Sequence, residues 1–171
     1  MFQLIPAILL GAAQTSVAPL VGNLPQIFVA TCLDGQARMT TSDVTKIGFD
    51  DLPSRLRRHL GRPATSDVWR LNTSGNAFLY VLTCVPDPGV NPKICGLASD
   101  QMNLRAAADL LDFRLAGSVY AAKLRATQWM RPEDGYVATA TTAGKYNVAQ
   151  INWLSDRDRK AAIDELRPVS R

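Results

Sequence analysis

The first charged residue of this 171-residue chain is Asp34; Met1 to Leu33 carries no charge at all. Inside that stretch Leu4 to Ala13 is a short apolar run, and small and polar residues follow it to Ala18. An apolar core of this length ahead of small residues is the pattern of an export signal. It is too short to cross a bilayer, which takes about 20 apolar residues. The expected division is a signal peptide over 1–18 and a single domain over 19–171. A cut after Ala18 would leave Pro19 first, so a cut after Ala13 is the alternative. The pattern lacks the Lys or Arg that usually follows the initiator Met. Export places the domain in the periplasm or outside the cell, with no stable membrane span left after cleavage.

Composition sets the class of what remains. Hydrophobic residues make up 47% and charged residues 20% of the chain, which is the balance of a folded protein. About 150 residues suffice for one domain with a substantial core. The net charge of +4 permits weak attraction to polyanions without requiring it. Nucleic acid is not an expected partner of an exported protein.

Three cysteines in an oxidising compartment suggest one disulfide and one leftover thiol. Cys84 and Cys95 flank a Pro-rich loop, and their sulfurs would meet if the adjoining strands form a hairpin. Cys32 stands on a predicted helix instead. In the chain-entropy model the long Cys32–Cys95 loop is worth roughly 4 kcal/mol and the short Cys84–Cys95 loop roughly 3 kcal/mol, which does not separate them. Cys32–Cys95 is preferred because it ties the first helix to the sheet, and Cys84 then becomes an inert buried thiol.

Turn and cap signals divide the chain into ten elements. A first helix opens at Asn23-Leu-Pro25 and stops at Gly35; a second runs from Leu52 to Leu60 between Asp50-Asp51 and Gly61. Strands are predicted at 67–72, 77–84, 94–98, 126–131, 136–142 and 146–154. Ser99 is the expected cap of a helix from Asp100 to Ala116, with Met102, Ala106, Leu110 and Phe113 as its apolar stripe, widened by Ala107, Leu111 and Leu115. Ser155 caps the last helix, which Pro168 ends. The order reads as α+β: a mainly antiparallel sheet of about six strands, with helices packed on one face.

Residues with chemical potential are few. His59 is the only histidine, and Glu133 and Glu165 are the only glutamates. No HxH, HExxH or CxxC spacing marks a metal site, and no GxSxG or SxxK marks a nucleophile. Neither metal nor cofactor is expected, and no catalytic residue is assigned. Cys32 lies near the C-terminal end of its helix, where the dipole does not activate a thiol. Arg55, Arg57, Arg58 and Arg62 form the densest basic cluster and are the candidate anion-binding residues. Asp50 and Asp51 stand close enough in sequence to neutralise part of it. Trp69, Trp129 and Trp153 each fall on a predicted strand and are candidates for stacking on a ligand; as core residues they would need no ligand.

Cys32 in the helix segment Phe28-Val-Ala-Thr-Cys32, and Cys95-Gly-Leu97 on a strand that leads into a helix, give the chain a likeness to a loose group of small exported bacterial proteins. The resemblance implies export and a helix-to-strand disulfide, and transfers no catalytic residue. The functional expectation is an exported accessory protein that binds a protein or an acidic envelope component. A small hydrolase using Asp or Cys chemistry is one alternative. A small-ligand binder with a Trp-lined pocket is another.

Overall fold

The strands of this chain hydrogen-bond into one antiparallel sheet of eight, in the order β1-β2-β3-β4-β8-β7-β6-β5. The structure is a computed structural model and describes residues 23–35, 43–73, 75–84, 92–116, 119–123, 126–131 and 133–166. The expected signal peptide, the loop after Cys84 and Pro168 lie outside the described residues.

The strands are β1 (Val44–Ile47), β2 (Thr65–Leu71), β3 (Ala77–Thr83), β4 (Lys93–Ser99), β5 (Val119–Lys123), β6 (Ala126–Arg131), β7 (Tyr136–Ala143) and β8 (Tyr146–Trp153). The helices are α1 (Leu24–Phe28), α2 (Ser54–Leu60), α3 (Leu104–Arg114) and α4 (Asp156–Leu166). A π-helical turn, Val29–Leu33, continues α1, and a 3-10 turn, Phe49–Asp51, precedes α2. The α+β class and the antiparallel sheet agree with the sequence. Two strands were not anticipated. β1 is only four residues long and carries little apolar signal, and β5 is only five residues long, two of them alanine.

Helices cover both faces of the sheet, not one. On the first face α1 and α3 bury Leu79, Cys95, Leu97, Ala138, Ala149 and Ile151. On the second, Leu56 and Leu60 of α2 pack on Val68, Tyr80 and Leu82. The reason is local: the central strands β3 and β4 are apolar on alternate and intervening positions alike, so both sides must be shielded from water.

Within α3 the buried residues are Ala107 and Leu111, with Leu115 just beyond, while Phe113 is 79% exposed. The helix begins at Leu104, not Asp100. Asn103 caps it by accepting from the Ala106 N–H at 3.1 Å, and Ser99 accepts from the Gln101 N–H at 3.0 Å in the approach. Phe113 stands two residues from Leu111, about 200° around the helix, and so faces outward.

Cys32 and Cys95 form a disulfide with a Cα–Cα distance of 5.6 Å, and Cys84 is a buried free thiol. The bridge fastens the π-turn to β4. No helix among the described residues is long and apolar enough to cross a membrane.

Candidate functional site

Gly96 opens the most unusual part of the interior. It lacks a side chain in the middle of β4, and the Tyr80 ring lies across the gap; a Cβ at Gly96 would stand 2.5 Å from Tyr80 Oη and 2.8 Å from Gln150 Cβ. Through that gap Tyr80 on β3 reaches over β4 and donates to Gln150 Oε1 on β8 at 3.0 Å. Gln150 Nε2 in turn donates to Asn152 Oδ1 at 3.0 Å. The Gln150 side chain also interacts with His59 on α2, favouring its charged form. Gln150 is therefore a hub whose side-chain hydrogen bonds join β3 to β8.

These groups belong to a larger polar patch. Tyr80, Gly96, Gln150, Thr139 and Gln128 occupy one cross-strand row on the second face. Asn152 and Thr141 lie on the same face, two residues along β8 and β7 from members of that row. Thr139, Thr141, Gln150 and Asn152 are all buried, whereas Ala138, Ala140, Ala149 and Ile151 on the opposite face of these strands are apolar. Buried amides and hydroxyls must be hydrogen-bonded to be tolerated, so the patch is a constructed feature.

Electrostatics agree with that picture. Partial burial holds the His59 imidazole below its ordinary pKa, against the opposing pull of the Gln150 bond. Complete burial drives the Tyr80 hydroxyl well above its usual range, so it remains a donor. Among the described residues no group of three His, Cys, Asp or Glu side chains is placed to hold a metal ion.

The candidate arginines separate into two kinds. Arg57 Nη1 contacts Asp50 Oδ1 at 3.2 Å, and its Nε is buried without a hydrogen-bond partner among the described residues. Arg55, Arg58 and Arg62 are exposed. The carboxylate of Asp51 is turned away from this cluster and accepts the Gly48 N–H at 2.8 Å. The Arg55 stem lies against Gly144 in the β7–β8 turn, 3.3 Å from where a Cβ would stand. Leu56 and Leu60 are buried beneath, which fixes the helix on the sheet.

The three tryptophans share the first face and do not form one platform. Trp129 is 2% exposed and donates its indole N–H to Asp112 Oδ1 at 2.6 Å, so its ring is closed to any ligand and it leaves the stacking set. Trp69 and Trp153 are half-buried at separate places on the sheet, and Lys93 Nζ sits 4.8 Å from the Trp153 ring centroid. Sequence reasoning missed Tyr80, Gln150 and Asn152. The only signal they offered was Gln150 and Asn152 set among the apolar residues Val148, Ala149, Ile151 and Trp153 of β8. Comparison with protein-family models, curated proteins and solved structures found no match.

Proposed function

We propose that this is an exported accessory protein that acts by binding an acidic component of the cell envelope. The observation that carries the reading is the seating of α2: two buried leucines hold it to the sheet while Arg55, Arg58 and Arg62 remain exposed on or beside it. Guanidinium groups on a rigid support bind phosphate and carboxylate with little ordering cost. The Cys32–Cys95 bridge supports the compartment, because structural disulfides persist where the surroundings are oxidising.

The test is co-sedimentation with phosphatidylglycerol vesicles, with phosphatidylcholine vesicles and with an insoluble acidic polysaccharide. The protein is expected to bind the acidic phases only, with binding that weakens steeply as salt rises. The combined variant R55E/R58E/R62E is expected to lose that binding. Retention by the variant, or equal binding to neutral vesicles, would remove the polyanion reading and leave a protein partner in its place.

A further inference from the structure

We infer that a row of side chains at one end of the first sheet face, centred on Trp153 and Tyr136, is a stacking platform for a glycan chain. The row crosses β4, β8, β7 and β6: Lys93 stands opposite Trp153, Trp153 opposite Tyr136, and Tyr136 opposite Arg131. Residues paired in this way have Cβ atoms about 5 Å apart, and three strand intervals make the row roughly 14 Å long. Trp153 and Tyr136 pack against the first-face core, and Lys93 Nζ lies 4.8 Å from the Trp153 ring centroid. Arg131 follows two residues after Trp129 on β6 and so shares its face. The site is on the opposite side of the sheet from α2, and it does not depend on the arginine reading above.

Accessibility changes abruptly at this row. The row before it, Cys95, Ile151, Ala138 and Trp129, is buried beneath α1 and α3. One step further out, Lys93 is exposed, while Trp153, Tyr136 and Arg131 are half-buried. The two rings are thus held from below by the core and reachable from outside, and stacking needs such a flat surface rather than a cavity. The neighbouring polar groups select the ligand. Arg131 Nε donates to Asp134 Oδ2 at 2.8 Å, and the charges of both residues act on the Tyr136 phenol. N–H donors and a carboxylate acceptor therefore stand together beside one ring. A phosphate or carboxylate would be repelled there by Asp134, whereas a hydroxyl, which donates and accepts, finds a partner of either sense. A sugar ring combines an apolar C–H face with a rim of hydroxyls, and this matches the aromatic pair and its polar ends. At the other end the flexible stem of Lys93 can yield the Trp153 face to a sugar ring and turn its N–H donors to the ring's oxygens.

Calorimetric titration with chitohexaose, cellohexaose and maltohexaose, together with sedimentation on peptidoglycan sacculi, tests the platform. The wild-type protein is expected to bind at least one of these glycans. Trp153→Ala is expected to weaken that binding by at least about tenfold, as the loss of a central aromatic contact does. Because Trp153 also touches the core, Asp134→Ala provides a second reading at an exposed position. It is expected to weaken binding several-fold with an unchanged melting temperature. The variant R55E/R58E/R62E, altered on the other face, is expected to bind the glycan as the wild type does. Binding of none of the glycans overturns the platform, and so does glycan binding that Trp153→Ala and Asp134→Ala leave intact. Glycan binding abolished by R55E/R58E/R62E would also overturn it, since the contact would then lie on α2. None of these results bears on whether acidic vesicles bind through the arginines, so the two readings fail separately.

Discussion

His59 shows how a single side chain can report on its surroundings. It is held below its usual pKa by partial burial, so the folded protein takes up a proton less readily than the unfolded chain does. The sign follows from linkage. Above about pH 6.5 both states hold a neutral imidazole and the contribution to stability is intact. As pH falls through that value the unfolded state protonates first, and stability declines until the folded pKa is passed. Urea unfolding at pH 7.5 and pH 5 is expected to show a loss in the wild-type protein that is smaller in His59→Gln. An equal loss in both would assign the pH effect to other groups. The sequence showed His59 to be solitary and unsuited to metal binding. It did not show the contact with Gln150, 91 positions further along the chain, because that contact exists only once α2 lies on the second face and Gly96 leaves Tyr80 room to cross.

Elements were legible where their ends carry chemistry. The last helix was read from Ser155, whose hydroxyl accepts from the Asp158 N–H at 3.2 Å and donates to its carboxylate at 2.6 Å. The hairpin strands β2 and β3, and β7 and β8, were read from the Gly-containing turns that join them. Helix α3 was found and its stripe was drawn too wide: Ala107, Leu111 and Leu115 are the buried members, while Ala106 and Phe113 face outward. The correct face makes a paired prediction. Leu111→Ala should cost about 2–5 kcal/mol, as the removal of a fully buried leucine does. Phe113→Ser should change stability by less than about 0.5 kcal/mol, as exposed substitutions do. Denaturant titration of the two variants checks both, and a larger cost at Phe113 would mean that the sequence-derived stripe was right. The short edge strands β1 and β5 had no such markers, and their existence depends on neighbours that only the folded sheet provides.

At the scale of the whole molecule the class was readable and the layering was not. Antiparallel topology follows from hairpin connections; the two-faced apolar pattern of β3 and β4 calls for cover on both sides, but it does not say which helix docks on which face. The disulfide is the one long-range tie that the sequence proposed and the structure contains. Replacing both of its cysteines by alanine is expected to lower stability by about 2–5 kcal/mol. Comparing the urea midpoint of this variant with that of the wild-type protein, with Cys84 intact in both, measures it; matching midpoints would leave the bridge with no stabilising role.

The strand order has a consequence for how such a chain assembles. Strands β1 to β4 form one meander and β5 to β8 another, and the two meet only where β4 pairs with β8. Hairpin contacts inside each meander close short loops and form quickly, whereas the seam must bring Lys93–Ser99 against Asn147–Trp153. Both bridging sulfurs belong to the first part of the chain, at positions 32 and 95. A growing polypeptide can thus lock its opening helix to the central strand before the second meander has been made, and that locked half then serves as the template on which β8 completes the sheet.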